Sequence, residues 1–299
     1  MSASYWESTQ RHKWQHTRES LARERQNLWL MECQLFPHGL SIVMENSKNG
    51  GQQQSITRNI PISHKDLHYD KDYNLRIYCY FLIMKLGRRL NIRQCALATA
   101  HVYLSRFLLK ASIREVNLYL LVTTCIYLAC KVEECPQHIR TLVNEARSLW
   151  PEFVPPDPTK VTEFEFYLIE ELQSYLIVHH PYRSMEQIVS SLREEPYQLA
   201  LSPEDLQNSW SLINDSYITD LHLMYPPHVI AMACMFITVC LKKSVSHRQQ
   251  TFNRFMAESQ VDLQEVMNVI QDLITLYDHW DKYNEPWIKF LLHTVYLRS

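Results

Sequence analysis

The sequence predicts an all-α protein that consists of two tandem sets of helices behind an N-terminal helical arm. Only 4 of the 299 residues are glycine, too few for a large sheet with many tight turns. The run 118–130 carries no charge and no single apolar face, which is typical of a helix buried on every side. This run is too short to cross a bilayer, which needs about 20 residues. A second apolar run follows at 227–241.

Residues 1–36 are predicted to form the helical arm. Trp14, Leu21, Leu28 and Leu35 recur at heptad spacing and form one apolar seam, but the seam positions between them are polar. The seam is therefore not that of a long coiled coil. Two interpretations stay open: the helix packs on its own domain, or it offers its apolar face to another protein.

The rest of the chain divides into a linker and two helical sets. Residues 37–65 contain a polar, turn-rich stretch and are predicted to form a flexible linker or insertion. The first set covers 66–180, and the second set, with a C-terminal tail, covers 181–299. In the first set, helices are predicted over 67–86, 91–109, 112–132, 138–149 and 158–176. In the second set, helices are predicted to begin near Ser184, Ser202, Pro226 and Asp262, with a polar loop over 242–251 and one more turn or helix over 286–297.

Three of these helices carry capping signals at their starts. Ser112 and Ser184 each stand three residues before a Glu or Gln, the pattern in which a side chain and the backbone amides satisfy each other. Asp262 is followed by Glu265 in the same way. We therefore predict that these residues mark helix N-termini.

The two sets resemble a duplication. The segments 103–107 and 122–128 have counterparts at 213–217 and 231–237, in the same order. The charged segment 131–134, which closes the first buried helix, has no counterpart in the second set. A feature that occurs in only one copy of a duplicated fold is a candidate for function rather than for packing.

Composition argues against several classes of function. The net charge is −2, so the overall charge gives no support for nucleic-acid binding, and the glycines are too few for a phosphate-binding loop. None of the 8 cysteines forms a C-x-x-C pair, which indicates reduced core thiols and neither a disulfide nor a metal site. Adjacent acidic pairs diverge on a helix, so no catalytic residue and no cofactor are expected.

The order of these motifs resembles the cyclin family. The segment 128–134, L-A-C-K-V-E-E, closes the third helix of a five-helix unit that occurs twice, and 103–107 matches the Y-x-x-R-F pattern of the second helix of the cyclin box. The resemblance implies two tandem five-helix cyclin-box repeats. Further segments are closer to the branch of this family that serves the Mediator kinase module: 5–8, 165–168, 177–182, 214–217 and 223–227.

The resemblance implies a non-catalytic subunit that binds and activates the cyclin-dependent protein kinase of the Mediator kinase module, in the nucleus and in RNA polymerase II transcription. In this family, a lysine at the end of the third helix and a glutamate in the fifth make the central polar contacts with the kinase; here these are Lys131 and Glu165. Without the resemblance, the sequence alone would indicate a helix C-terminal charge for Lys131 and a solvated surface charge for Glu165. The family's N-terminal helix also packs against its kinase. Trp14, Leu21 and Leu28 are therefore expected to add apolar contacts.

Two further expectations follow from the resemblance. A surface groove in this branch is expected to take another subunit of the Mediator kinase module, at Trp6, Glu133, Asn214 and Asp215. Cell-cycle members carry an M-R-A-I-L patch that recruits substrates. The matching residues 75–79 read L-R-I-Y-C, and this altered apolar pattern argues against recruitment of substrates there.

A DNA-binding general transcription factor with the cyclin fold is the alternative function. Such a protein needs Lys and Arg clustered on one face, and the near-neutral charge of this chain argues against it. The leading interpretation expects no direct contact with nucleic acid, no membrane, no metal and no cofactor.

Overall fold

Helices make up almost all of the regular structure in the computed structural model, which describes residues 4–35, 40–43, 59–62, 73–241 and 246–296. A 3-10 turn at Tyr5–Glu7 comes first. The helices are α1 (Thr9–Lys13), α2 (Arg18–Leu35), α3 (Tyr73–Arg89), α4 (Gln94–Phe107), α5 (Leu118–Val132), α6 (Ile139–Leu149), α7 (Thr159–Glu171), α8 (Pro181–Arg193), α9 (Pro203–Ser216), α10 (Leu221–Met224), α11 (Pro227–Leu241), α12 (Ser246–Glu258), α13 (Leu263–Trp280) and α14 (Glu285–Tyr296).

Helix α5 is the centre of the first repeat. It packs against α3, α4, α6 and α7, and nearly all its side chains are buried, which confirms the prediction from its uncharged sequence. Its N-terminus is capped by Asn117, whose side chain accepts hydrogen bonds from the amides of Tyr119 and Leu120 at 3.0 and 3.2 Å. The C-terminal helix α14 packs on α3 and so returns to the first repeat.

Helix α11 holds the same position in the second repeat. It packs against α8, α9, α12 and α13, with the short α10 before it. Ser202 and Asp205 form the capping box of α9, and Asp262 caps α13 through the amides of Gln264 and Glu265. The all-α fold with two tandem repeats is therefore confirmed.

Several local expectations are wrong. Ser112 does not begin a helix, because α5 starts only after the cap at Asn117; its hydroxyl instead donates to Glu32 of α2 at 2.5 Å. Ser184 lies inside α8, which begins at Pro181. Helix α12 begins at Ser246, within the stretch expected to be a polar loop.

The expected linker also contains regular structure. Strands β1 (Leu40–Val43) and β2 (Asn59–Ile62) pair antiparallel, with Leu40 opposite Ile62. The polar centre of the predicted linker, between the two strands, lies outside the described residues.

The Y-x-x-R-F motif holds the connection between the two repeats. The Tyr103 hydroxyl donates to the carbonyl of Leu176 at 2.6 Å, and the Arg106 guanidinium donates to the carbonyl of Tyr175 at 3.0 Å. Both side chains are buried, and burial lowers the pKa of Arg106 to about 10. The motif therefore fixes the chain just before the second repeat begins.

The N-terminal arm lies across the junction between the repeats. Gln10 accepts a hydrogen bond from the amide of His179 at 2.6 Å, and the amide of His16 donates to the carbonyl of Leu223 at 2.7 Å. These contacts tie the arm to the end of the first repeat and to α10. A membrane-spanning segment, which needs a long and strongly hydrophobic helix, is not found among the described residues.

Candidate protein-interaction site

The charged end of α5 forms an ion pair with α7. Lys131 in the last turn of α5 places its Nζ 2.6 Å from Oε1 of Glu165, and the ammonium also lies 5.1 Å from the ring centroid of Tyr127. The Lys131 side chain is 44% exposed and the Glu165 side chain only 7%. A carboxylate this buried needs a partner, so Glu165 is not the solvated surface charge that the sequence alone suggested. The structure thus brings the two residues together on the surface of the first repeat.

Two exposed aromatic residues follow Glu165 in the sequence of α7. Phe166 is 72% exposed and Tyr167 is 40% exposed. Tyr167 meets the buried ring of Phe107 edge-on at 5.7 Å between ring centroids. A large exposed aromatic beside a partly buried charge pair is a usual feature of protein-binding surfaces.

Two of the three arm residues that were expected to contact a kinase are buried within the protein. Trp14 and Leu21 are each only 3% exposed: the Arg106 guanidinium lies 4.9 Å from the Trp14 ring, and Leu21 packs in the core of the second repeat. The expectation that these two side chains contact a kinase is therefore corrected, and the intramolecular interpretation applies to them. Leu28 is half-buried, whereas Trp29 is 42% exposed and Leu30 is 47% exposed.

The heptad seam assumed one continuous helix, but residues 14–17 are not helical, so Trp14 belongs to neither α1 nor α2. Leu21 lies within α2 and is buried because that face of the helix packs on the protein's own core. The heptad spacing missed Trp29, which lies off the seam, although tryptophan is itself enriched at protein interfaces.

A groove of about 990 Å³ opens at the junction of the two repeats. Trp6 lies on its wall, 54% exposed, with its ring 5.6 Å from that of His228 and 5.2 Å from the Arg11 guanidinium. The other lining residues include Gln94, Cys95, His180, Tyr182, Arg183, Glu186, Gln187 and Trp210. The groove combines aromatic surface with hydrogen-bonding groups, which suits an extended peptide.

Two more of the expected groove residues bond to its lining. Asn214 Oδ1 accepts hydrogen bonds from Tyr182 at 2.7 Å and from Gln94 at 3.1 Å. Glu133, the C-terminal cap of α5, accepts one from the Sγ of Cys95 at 3.4 Å. The structure thus places both residues behind the wall of the groove.

Asp215, the fourth expected groove residue, has a different position. Its carboxylate accepts a hydrogen bond from the hydroxyl of Tyr277 on α13 at 2.8 Å. Burial raises the pKa of Asp215, and the bond from Tyr277 offsets part of that rise. Asp215 is not among the lining residues of the groove, so its direct contact is with α13.

The residues that match the substrate-recruiting patch are buried within the protein. All five of them, 75–79, are buried, and Arg76 donates to Asp220 at 2.9 Å. Asp220 also accepts from Arg25 of α2 at 2.5 Å. The sequence did not single out Asp220, because no local pattern marks a carboxylate whose partners are distant in the chain.

Comparison with known families identifies this fold. The family described as "Cyclin, N-terminal domain" matches residues 45–177, and the one described as "Cyclin C-terminal domain" matches residues 180–278. The chain belongs to the cyclin family. The family expected from the sequence motifs is therefore confirmed, and the two matched ranges meet at the junction held by the Y-x-x-R-F motif.

Two curated relatives of this cyclin have the same description, "RNA polymerase II holoenzyme cyclin-like subunit". The protein from Eremothecium gossypii is 80% identical over 300 residues, which cover 100% of this chain and 90% of the relative. The protein from Saccharomyces cerevisiae is 71% identical over 319 residues, which cover 100% of this chain and 98% of the relative.

Solved structures share the fold at low identity. A chain of the yeast TFIIK (Kin28/Ccl1/Tfb3) complex matches with a TM-score of 0.64 and 18% identity, over 91% of this cyclin and 99% of that chain. A chain of the CAK complex of Chaetomium thermophilum bound to ATP-gamma-S matches with a TM-score of 0.67 and 17% identity, over 95% and 84%. At this level of identity, the likeness shows the cyclin fold alone.

Proposed function

We propose that this cyclin is the non-catalytic subunit that binds and activates the cyclin-dependent kinase of the Mediator kinase module. It would act in the nucleus, in RNA polymerase II transcription. The ion pair between Lys131 and Glu165 carries the proposal, since it stands at a partly exposed, aromatic surface of the first repeat. The description shared by the two relatives supports the setting in the polymerase II machinery.

The ion pair suits a contact with a backbone. An ammonium has three N–H donors, so its contact with Glu165 leaves Lys131 the capacity to donate to carbonyl oxygens of a partner helix. Hydrogen bonds of this charged kind are stronger than neutral ones. Because Glu165 already holds Lys131 in place, little side-chain freedom is lost on binding.

The exposed aromatic residues of two helices flank one segment of the chain. Residues 107–115 lie between α2 and α7: Lys110 forms an ion pair with Glu24 of α2 at 3.2 Å, and Phe107 packs against Tyr167 of α7. Trp29 on α2 and Phe166 on α7 are both exposed. We propose that these residues bury apolar surface against the kinase around the charged pair.

The cyclin would then activate the kinase by holding its αC helix in position. A protein kinase needs the ion pair between its own active-site lysine and the glutamate of its αC helix, and that pair depends on the position of αC. A rigid partner that holds αC inward stabilises the active arrangement without supplying a catalytic group. The buried central helix α5 provides this rigidity directly behind Lys131.

Reconstitution tests this function. The purified full chain is mixed with its kinase, and phosphorylation of a polymerase II C-terminal-domain peptide is measured. We expect the kinase to be active only with the cyclin, and the cyclin alone to transfer no phosphate. Kinase activity that does not change when the cyclin is added would contradict the proposal.

A further inference from the structure

The fold brings together three metal-binding side chains that are far apart in the sequence. Cys95 is in the first turn of α4, Glu133 caps the end of α5, and His180 precedes the first residue of α8. One ligand atom of each lies within 4.8 Å of the other two. We propose that Cys95, Glu133 and His180 form a binding site for a zinc ion, a function that does not depend on kinase binding.

A hydrogen bond orients Glu133 toward this point. Thr99 donates its hydroxyl to Oε1 of Glu133 at 2.6 Å, while Oε2 lies 3.4 Å from the Sγ of Cys95. Zinc bonds to sulfur and oxygen of 2.3 and about 2.0–2.2 Å, in a tetrahedral arrangement, put neighbouring ligand atoms about 3.5 Å apart. The Cys95–Glu133 separation thus already matches two corners of such a site.

A second hydrogen bond orients His180. Its Nδ1 lies 2.6 Å from the hydroxyl of Tyr217, and its Nε2 lies 2.8 Å from Oγ1 of Thr99, on the side of Cys95 and Glu133. Thr99 gives its one hydroxyl proton to Glu133, so without metal the Nε2–H of His180 donates to Thr99 and Nδ1 accepts from Tyr217. Zinc would take the place of the proton on Nε2, and Nδ1 would then carry the proton and donate it to Tyr217. Metal-binding histidines in proteins are held in this way by a partner on the other ring nitrogen.

The donor set selects the metal. A thiolate, an imidazole and a carboxylate together suit zinc, whereas calcium and magnesium prefer oxygen ligands alone. Coordination replaces the thiol proton of Cys95, which leaves to solvent. Zinc bound here would connect α4, the end of α5 and the start of the second repeat, and so brace the junction between the repeats.

The fourth coordination position would face the groove. Both Cys95 and His180 are lining residues of the groove, whose walls also include Trp6. A water molecule, or a side chain of a protein that occupies the groove, can complete the tetrahedron from this side. The site would thus be closed on the protein side and open toward a partner.

Cobalt titration of the full chain tests the proposal. The purified protein is freed of metal with a chelator and titrated with Co²⁺, whose complex with a thiolate in tetrahedral geometry has a characteristic charge-transfer absorption. We expect this absorption to saturate at one equivalent and to disappear when one equivalent of Zn²⁺ is added. Cys95→Ala should abolish it, and Glu133→Gln should weaken zinc affinity at least tenfold.

A matched variant separates this site from the other thiols. Cys240→Ala alters a partly exposed thiol of α11 and should leave the cobalt absorption unchanged. Circular dichroism melting of Cys95→Ala checks that its fold is intact, which the position of this side chain at the groove surface favours. The proposal is overturned if the wild-type chain shows no thiolate absorption, or if the absorption persists in Cys95→Ala.

Discussion

Arg76 donates a hydrogen bond to Asp220 over 2.9 Å and so joins the first helix of the first repeat to the turn before α10 in the second. Arg25 of α2 donates to the other oxygen of the same carboxylate at 2.5 Å. Burial by itself would raise the pKa of Asp220, but Arg76 and Arg25 outweigh it and lower the pKa to about 2. One ionised carboxylate therefore connects the arm and both repeats.

Asp220→Asn should lower the free energy of unfolding by about 3 kcal/mol, because it removes the charge that two guanidinium groups share in a buried setting. Urea denaturation at pH 7 measures this. Asp278→Asn, on an exposed position of α13, is the control and should change the free energy of unfolding by less than about 0.5 kcal/mol. Equal effects of the two variants would show that Asp220 is not a connecting residue.

The stability of the protein should fall in mild acid because of His101. Its ring is buried between Tyr80 and Tyr217, at centroid distances of 5.0 and 5.9 Å, and burial lowers its pKa to about 3. Between the unfolded pKa of about 6.5 and this value, the unfolded chain binds one more proton than the folded chain. Each unit of falling pH therefore costs about 1.4 kcal/mol through His101 alone.

A variant separates the contribution of His101 to the pH dependence of stability from those of His180 and His222. Burial also lowers the pKa values of these two histidines. His101→Phe keeps a ring in the stack, and the Nε2 of His101 has no hydrogen-bond partner among the described residues, so little else is lost. Unfolding measured between pH 7 and pH 4 should show a slope about 1.4 kcal/mol per pH unit shallower than in the wild type. An unchanged slope would contradict the assignment.

Trp14 and Trp29 of the arm should behave in opposite ways. Trp14→Ala removes a buried ring beside Arg106 and should lower the free energy of unfolding by about 3 kcal/mol. Trp29→Ala removes an exposed ring and should leave stability within about 0.5 kcal/mol of the wild type. It should weaken kinase binding about tenfold if α2 contributes to that interface.

Thermal melting and a binding titration with the kinase check both parts. Wild-type kinase affinity in Trp29→Ala would exclude this face of α2 from the interface. If Trp14→Ala melts like the wild type, the packing of the arm on the junction contributes little to the stability of the folded state.

Patterns within one helix could be predicted from the sequence, and relations between distant segments could not. The uncharged run 118–130 sufficed to place a buried helix, because burial on every side leaves no choice of face. The prediction that Ser112 begins a helix was wrong because Asn117, further along the chain, caps α5 instead. A local motif cannot decide between two candidate caps. The prediction that Trp14 lies on one continuous helical seam was wrong because the heptad spacing did not reveal the break in the arm.

The candidate sites show the same division. Lys131 and Glu165 were chosen by resemblance, whereas residue types alone suggested a helix-terminal charge and a solvated acid; their pairing depends on the packing of α5 against α7. Cys95 and His180 carried no joint signal, since they meet only when the segment before α8 packs on α4. Asp220 was missed for the same reason.

The most direct test of the central claim is the affinity of the kinase for Lys131→Ala/Glu165→Ala, measured by calorimetry beside the matched pair Lys289→Ala/Glu285→Ala. The control removes a Lys–Glu ion pair of the same length, 2.6 Å, on α14, outside the proposed surface. Charged hydrogen bonds contribute about 1.5–3 kcal/mol each, so the first variant should bind the kinase at least tenfold more weakly and the control like the wild type. Wild-type affinity in the Lys131→Ala/Glu165→Ala variant, with an unchanged helical spectrum, would contradict the account.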